Sequence, residues 1–454
     1  MSASPSFIGR ATGWTARLGG RSGRVLPLIG GTAAAQVITL AATPVLSRLY
    51  SPADFGVTAT FAAAAGFLAI LATARLEFAI PMESDRNGAE RLTRAAVTLA
   101  ALVSVMILLL VVAGGHWLGA SVSTPAVARH LWLLPLAVFG IAAFQLGNYR
   151  VVREQDYRCL AKTRLWQSIC GTVTSTFLGC FHAGPIGLLL GTTLNQSAGA
   201  LRLLRGLFSL ETLRSGWRAA ELPLLWSHRG FALKTTLAGI LSAFGALLVP
   251  VFFSAFYGVD ATGSFSMALR LMLLPMTVVG VAVSQAFVGE ASKVLRTSPG
   301  SFSSLVQNFT RRLLPVATAT ALAGLVMPWA IPLILGPAWA EAGMLSAILA
   351  PMCGLQLLVS PLGMIPIVLK RPGVQLCLDA LRALAVLGSV AGAHAAELSP
   401  RAAVMCFSGG SVLVYSVMAM VFGWLVRRAS IVSGISEFST SQCGAGKGLL
   451  SHAS

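Results

Sequence analysis

The chain has 454 residues, of which 56% are hydrophobic and only 11% charged, and its mean hydropathy is +0.78. Soluble globular domains carry about a quarter charged residues, so this composition leaves too little polar surface to cover a water-soluble globule. High hydrophobicity also excludes intrinsic disorder, and the composition does not fit a collagen-like or disulfide-scaffold protein. These values are typical of a multi-pass membrane protein.

The formal net charge is +18, from 33 Lys and Arg against 15 Asp and Glu. The basic residues lie in short gaps between apolar runs, where membrane proteins collect Lys and Arg on the cytoplasmic side. They do not form one basic face or arm, so we expect no nucleic acid as a partner. The charge pattern reports membrane topology.

A helix needs about 20 mostly apolar residues to cross the hydrocarbon core. Twelve segments meet this need: 25–46, 55–72, 95–114, 131–147, 166–181, 185–204, 235–256, 263–288, 313–335, 343–369, 374–395 and 402–425. With the N-terminus in the cytoplasm, 28 of the 33 Lys and Arg lie in inside segments, three lie outside and two lie within spans. This bias predicts a membrane protein with an even number of crossings and both termini in the cytoplasm.

The longest gap between spans lies halfway along the chain and combines basic residues with Trp217 and Trp226. It is typical of an amphipathic helix at the membrane surface, and a solvated basic loop is the alternative. We therefore predict five parts: a basic cytoplasmic tail (1–24), an N-lobe of six helices (25–204), a cytoplasmic amphipathic linker (205–234), a C-lobe of six helices (235–425) and a cytoplasmic C-terminal tail (426–454).

The two halves share a short pattern where the first helix of each lobe turns into the second. Three residues recur at a constant offset of 207 positions: Ser47, Tyr50 and Gly56 in the first half, Ser254, Tyr257 and Gly263 in the second. Internal repeats are common in transporters whose halves rock around a central site. The pattern predicts a same-direction repeat, because six crossings return the chain to its starting side.

Motifs for catalysis are missing from the sequence. The seven cysteines contain no C-x-x-C pair, the six histidines are scattered, and residues 444–448 lack the spacing of a nucleotide-binding loop. We therefore expect no metal and no cofactor. The predicted outer loops are short and carry only Asp54, Asp260, Glu341 and Glu397, never more than one in a loop, which argues against an enzyme acting at the outer face. Transport without covalent chemistry is the favoured interpretation.

Arg270 is the most informative charge within a predicted span. It lies about seven residues into the eighth span, roughly 10 Å deep at 1.5 Å per residue, with no acid within four positions. Ionisable groups at such depth are costly and are functional candidates by default. A guanidinium facing a cavity would bind a phosphate or pyrophosphate with two parallel hydrogen bonds. Pairing across helices or snorkelling to the surface are the alternatives.

Other charged candidates occur in pairs or at span ends. Asp379 and Arg382 stand three residues apart on the eleventh span, so they share a face and can form an ion pair. Asp379 is also a candidate proton or sodium relay if it faces a cavity. Arg48 at the outer end of span one, and Arg75 with Glu77 at the inner end of span two, are candidate rim charges, with Glu77 a second candidate for ion coupling. Interfacial anchoring is the alternative role of these rim charges.

Uncharged polar residues also lie within the spans. Gln36 and Gln285 would suit sugar hydroxyls as hydrogen-bond partners. Glutamine side chains within spans also hold helices together, so both roles stay open.

Two stretches carry a family resemblance: 46–56 (LSRLYSPADFG) and 74–81 (ARLEFAIP). They resemble bacterial polysaccharide-biosynthesis flippases of the O-antigen type, in the superfamily that includes multidrug and toxin extrusion antiporters and the lipid II flippase. The segment 228–231 (HRGF) and the basic stretch 149–164 are similar to the family as well. The resemblance covers both halves of the chain.

The resemblance implies an all-α fold of two six-helix lobes around a cationic central cavity that opens alternately inward and outward. It implies an undecaprenyl-pyrophosphate-linked glycan as cargo, membrane lipids around the tail of that cargo, and a proton or sodium ion for coupling. Polysaccharide polymerase and chain-length proteins are further partners that it suggests. A cation-coupled multidrug antiporter is the alternative, and a polymerase or ligase a third. The spans hold few cations for such a cavity, so pyrophosphate binding would depend on Arg270 and the rim arginines.

Overall fold

A computed structural model describes residues 22–83, 85–121, 125–205, 226–245, 247–280, 283–284, 287, 290–291, 294–295, 299–369 and 371–448. This part of the chain is helical and contains no β-strand. Twelve helices longer than ten residues follow one another in it: α1 (Ser22–Leu49), α2 (Pro52–Thr73), α3 (Arg86–Ser121), α4 (Leu134–Glu154), α5 (Tyr157–Cys180), α6 (Pro185–Ser197), α7 (Arg229–Phe244), α8 (Val249–Met272), α9 (Phe302–Leu335), α10 (Ala340–Val359), α11 (Pro372–Ala395) and α12 (Pro400–Gly448).

A local sequence signal sets the start of α2, and a left-handed turn sets its end. The Ser51 hydroxyl accepts from the Asp54 N–H at 3.3 Å, and the Asp54 carboxylate accepts from the Ser51 N–H at 2.9 Å, which is a capping box. Pro52 follows at the first helical position, where its missing N–H costs nothing. The helix ends because Ala74 and Arg75 adopt left-handed φ angles of 45° and 54°. The capped start and this sharp end place Arg75 and Glu77 in a tight corner after the helix.

The seventh and eighth predicted spans differ from the observed helices. The predicted turn between them, at 257–262, contains Gly258, whose φ of 83° breaks the helical run Val249–Met272 into two helices. A second break was not predicted: α7 ends at Phe244 and helix resumes only at Val249, so span 235–256 is not one continuous helix. Much of span 263–288 beyond residue 280 lies outside the described residues.

Eight helices in the described part of the chain are long and apolar enough to cross a membrane. Helices α1, α5 and α6 are not among the eight, and the stretch Arg229–Met272 counts once where the sequence predicts two spans. Helix α6 has 13 residues, well short of the roughly 20 that a perpendicular crossing needs. The prediction of an all-α integral membrane protein is confirmed, with eight spans by this criterion.

Large apolar side chains are exposed in stripes along several helices. Trp166, Val173 and Phe177 lie on one side of α5, and Trp329 and Leu333 lie on one side of α9. The spacings of four and seven residues put each set on one helical face. Exposed apolar stripes of this length suit contact with lipid and would be a liability in water.

The described chain divides into two compact units. The first runs to Gly263 and includes Ile334–Ala338, and the second comprises Ser264–Leu333 and the residues from Trp339 onward. The core of the first unit joins Val57 and Phe61 of α2 with Val138 of α4 and Leu189 of α6, all of them buried. In the second unit Phe265 packs edge-on against Phe407 at 5.5 Å, and the Ser408 hydroxyl donates to the Ile348 carbonyl at 2.8 Å.

Helix α7 packs within the first unit. Phe231 and Ala232 lie against the buried cluster around Leu76 and Ile80, and the Phe244 ring meets Phe67 at 5.6 Å. The boundary between compact units therefore falls just after the start of the eighth predicted span, whereas the predicted lobe boundary is the linker 205–234. Residues 206–225, the middle of that linker, lie outside the described residues, as do the first 21 residues.

Candidate functional site

Arg270 lies near the end of α8 in the second unit. The preceding turn buries Phe265, Met267 and Ala268, while the Arg270 side chain itself is exposed. Within the described residues no carboxylate pairs with it and no acceptor bonds it. All five N–H donors of a guanidinium are then available to a ligand, in a geometry that matches two phosphate oxygens.

Asp379 and Arg382 form the ion pair that their spacing predicts. Arg382 Nη2 lies 3.9 Å from Asp379 Oδ1, and the side chains are 20% and 22% exposed. Gln375, one turn earlier on α11, donates to Asp379 Oδ2 at 3.3 Å. Tyr415 of α12 is buried and lies beside the pair. Sequence reasoning missed Gln375 and Tyr415; the spacing of four residues between Gln375 and Asp379 was the signal for the first.

Arg75 and Glu77 occupy the corner that follows α2. Arg75 Nη1 lies 3.6 Å from Glu77 Oε1, with the Arg75 side chain 23% exposed and that of Glu77 only 2% exposed. The guanidinium also stacks over the Phe78 ring, 5.3 Å from its centroid. On the other side lies Gly239 of α7, where an added Cβ would stand 2.6 Å from Arg75 Nε. Because Gly239 has no side chain, the Arg75 guanidinium can lie directly against α7.

Glu77 is a carboxyl group held in a dry environment. It follows the end of α2 at Thr73 and precedes α3, outside the spans. Burial raises the pKa of Glu77, and its own backbone N–H, the Thr73 hydroxyl and Arg75 offset that effect only in part. Tyr149 packs edge-on against Phe78 at 5.1 Å and lies close to the charges of both Glu77 and Arg75. Sequence reasoning missed Tyr149, which begins the basic stretch 149–164.

The remaining candidates are not brought together. Arg48 is exposed in the last turn of α1 and contacts no acid or acceptor of the described residues. Gln36 is half-buried on α1, one turn before a polar contact in which the hydroxyls of Thr39 and Ser168 lie 2.8 Å apart. Gln285 lies outside the described residues. In the part of the chain that the structure describes, no group of three or more His, Cys, Asp and Glu could hold a metal ion.

The helical architecture, the exposed apolar stripes and the eight long apolar helices define a polytopic membrane protein. Among solved structures, the chain is similar to the lipid II flippase MurJ in its inward closed conformation, with a TM-score of 0.69, 11% identity and 92% of each chain covered. It is also similar to an inward-facing multidrug resistance MATE family transporter of the MOP superfamily, with a TM-score of 0.59, 17% identity, and 90% of this chain and 95% of that chain covered.

A third similar structure is a MOP superfamily transporter from Pyrococcus furiosus, with a TM-score of 0.58, 16% identity, and 90% and 95% coverage. At these identities the likeness establishes the fold. No curated protein matches the sequence. The family model described as "Polysaccharide biosynthesis protein" matches residues 45–343, well over half of the chain. The chain belongs to this polysaccharide biosynthesis protein family, as the motifs at 46–56 and 74–81 indicate.

Proposed function

We propose that the protein is a flippase that carries undecaprenyl-pyrophosphate-linked oligosaccharide repeat units across the bacterial inner membrane. The repeat units would serve surface polysaccharide synthesis, as O-antigen, capsule or exopolysaccharide. Membership of the polysaccharide biosynthesis family and a fold shared with a lipid II flippase support this proposal. The observation that carries it is Arg270, an exposed cation near the end of α8 with no partner in the described residues.

The proposed mechanism is alternating access. Two six-helix lobes, 25–204 and 235–425, would close around a central cavity that opens first to the cytoplasm, where both termini lie, and then outward. Arg270 would hold the pyrophosphate, because a charged acceptor offsets the cost of placing a guanidinium in a membrane interior. Arg48 and Arg75 would attract the anion at the two rims. Gln36 and Gln285 would bind sugar hydroxyls, and the polyprenyl tail would stay in lipid.

Coupling to an ion is the second part of the proposal. Glu77 and Asp379 are carboxylates in dry or half-buried positions, and each is next to an arginine. A carboxylate that exchanges its arginine for a proton or a sodium ion changes the local charge by one unit, which can drive a change between two states. The same feature favours the second candidate function, a cation-coupled multidrug antiporter, because such a carrier needs an ion-binding carboxylate within the membrane.

Deleting the gene in its native bacterium tests the proposed cargo. Lipid-linked repeat units would be quantified on each face of the inner membrane. A flippase predicts accumulation on the cytoplasmic face and loss of surface polysaccharide. An unchanged glycolipid distribution, together with new sensitivity to cationic dyes, would instead support the antiporter. A shift in polymer length with normal flipping would indicate an enzyme that acts on the glycan.

Complementation with Arg270 variants tests the site. Arg270→Ala should abolish export while the protein still accumulates in the membrane. Arg270→Lys should restore export only in part, because an ammonium ion cannot bind two oxygens in the planar geometry of a guanidinium. Arg129→Ala, which removes an exposed arginine from an outer loop, is the control and should leave export unchanged. Full export with Arg270→Ala would remove Arg270 from the mechanism.

A further inference from the structure

Arg164 of α5 differs from every other half-buried arginine in the described residues. Five such arginines have a hydrogen bond, an ion pair or another electrostatic partner: Arg75, Arg94, Arg150, Arg153 and Arg382. Arg164 has none within the described part of the chain, and its Nε atom is buried without an acceptor. The protein therefore holds one half-buried guanidinium to which the described side chains and carbonyls give no partner.

The neighbours of Arg164 on α5 show which helix it lies against. One turn earlier, Ala161 packs so closely on α1 that an added Cβ at Gly31 would stand 2.6 Å from it. One turn later, the Ser168 hydroxyl donates to the Ala35 carbonyl at 2.8 Å. Residues three and four apart share a helical face, so Arg164 lies on the face of α5 that packs against α1.

The facing turns of α1 offer no counter-charge. Residues 30–39 of α1 read GGTAAAQVIT and contain no acid. The side chains in the first turn of this segment are small, and Gly31 packs tightly on Ala161. Helix α1 therefore offers Arg164 no carboxylate.

A half-buried charge with no counter-charge among the described residues favours a partner beyond them. Burial lowers the pKa of Arg164, and no neighbouring carboxylate offsets that effect. Desolvation of a charge without a partner is unfavourable. Because a guanidinium does not lose its proton in proteins, binding an anion is the way to offset this cost. Fork-shaped guanidinium donors match two oxygens of a phosphate.

We propose that Arg164 binds a phosphate group of a lipid in the inner leaflet. Arg164 lies two residues before the predicted span 166–181, at the inner end, and its neighbours Lys162 and Trp166 are exposed as expected at a membrane interface. The phosphate has two possible sources. One is the pyrophosphate of the cargo, which rests on the function proposed above. The other is the phosphodiester of an anionic phospholipid, which does not.

The test measures binding of each phosphate source to the purified full-length protein. Undecaprenyl pyrophosphate and phosphatidylglycerol are titrated separately in detergent, against wild type, Arg164→Gln and the exposed neighbour control Lys162→Gln. Arg164→Gln should lower the affinity of the protein for one of the two lipids at least about tenfold, the usual scale of a lost charge-assisted hydrogen bond. Lys162→Gln should change either affinity by less than about twofold.

The outcomes separate the two sources. Lost binding of undecaprenyl pyrophosphate alone assigns Arg164 to the cargo site. Lost binding of phosphatidylglycerol alone assigns Arg164 to a phospholipid site, and this assignment stands even if the flippase proposal fails. Unchanged affinity for both lipids in a folded Arg164→Gln protein overturns the proposal.

A stability measurement covers the case in which binding is hard to quantify. In lipid-free detergent Arg164→Met should melt at the same or a higher temperature than wild type, because it removes an unsatisfied charge. The bound lipid should raise the melting temperature of wild type but not of the variant. If Arg164→Met melts well below wild type without lipid, the guanidinium has a structural partner and the proposal fails.

Discussion

Gly56 and Gly263, which are 207 positions apart, lie backbone against backbone in the first compact unit. A Cβ on Gly56 would stand 3.0 Å from the Gly263 nitrogen, and a Cβ on Gly263 would stand 2.9 Å from the Gly56 nitrogen. The same added atoms would collide with the carbonyl oxygens of Val259 and Pro52, respectively. The crossing of α2 and α8 at this point therefore requires glycine on both helices.

This contact gives physical meaning to the internal repeat. Gly56 and Gly263 are the last pair of the pattern that recurs at the offset of 207, so equivalent positions of the two halves meet each other. The reciprocal clash with Val259 and Pro52 shows the same symmetry. The recurrence at an offset of 207 is thus matched by a direct contact between Gly56 and Gly263.

The first prediction concerns this crossing. Gly56→Ala and Gly263→Ala should each lower stability by about 1–3 kcal/mol, the usual cost of overpacking, because carbonyl backbone cannot move aside as a flexible side chain can. The double variant should cost clearly less than the sum, since one separation of the helices makes room for both methyl groups. Thermal melting of the four purified proteins in one detergent measures the effect.

Gly388→Ala on α11 is the control for the glycine variants. An added Cβ at Gly388 would meet nothing within 4 Å, and alanine favours helix more than glycine does. This variant should match or exceed the stability of wild type. Strictly additive losses for Gly56→Ala and Gly263→Ala would contradict a shared contact.

Sequence reasoning anticipated features that depend on local spacing. The ion pair of Asp379 and Arg382 follows from three residues of separation on a helix, and a turn near Gly258 follows from the end of one apolar run and the start of the next. The break between Phe244 and Val249 was not predicted, although Gly245 follows the end of α7 and Pro250 lies in the first turn after the break. Both residues mark helix ends, and the apolar composition of residues 235–256 concealed that signal.

Long-range packing set the properties that sequence reasoning missed. The burial of Glu77 depends on the left-handed turn at Ala74 and Arg75, where no glycine or asparagine announces such a conformation. The isolation of Arg164 depends on what α1 offers to the facing side of α5. In each case the sequence shows the charged residue, and only the arrangement of neighbouring helices shows whether that charge has a partner.

The second prediction is a pH dependence of stability that is due to Glu77. Burial raises the pKa of Glu77 in the folded protein, so the folded state binds more protons than the unfolded state between the two pKa values. The contribution of Glu77 to stability should therefore be greatest at low pH. It should fall as the pH rises through the pKa of Glu77 in the folded protein, which lies above the ordinary value of 4.5. Melting temperatures of wild type and Glu77→Gln from pH 4.5 to 8 measure the difference, and the variant should lack this decline.

Replacing Arg75 gives a second test of the pH dependence that is due to Glu77. The positive charge of Arg75 lowers the pKa of Glu77 in part, so Arg75→Leu should move the decline in stability to higher pH. Glu90→Gln, which removes a partly exposed carboxylate that pairs with the exposed Arg86, is the control and should leave the wild-type profile unchanged. An identical pH profile for wild type and Glu77→Gln would show that Glu77 stays ionised throughout this range.

The third prediction compares two ion pairs of the second unit. Arg382→Leu should cost about 1–3 kcal/mol, because it leaves the half-buried Asp379 carboxylate with the Gln375 amide and no cation. The double variant Arg382→Leu with Asp379→Asn should be more stable than Arg382→Leu alone, since no unpaired charge remains. Denaturant or thermal unfolding of the three proteins measures this difference.

Arg401 and Glu341 supply the matched pair for comparison. They form two parallel hydrogen bonds between the starts of α12 and α10, yet their side chains are 55% and 35% exposed. Solvent screening limits such pairs to about 1 kcal/mol or less, so Arg401→Ala should cost less than Arg382→Leu in spite of its shorter contacts. A larger loss for Arg401→Ala would mean that contact length, and not burial, governs the strength of ion pairs in this protein, and it would weaken the argument that the Asp379 environment is dry enough to favour ion exchange.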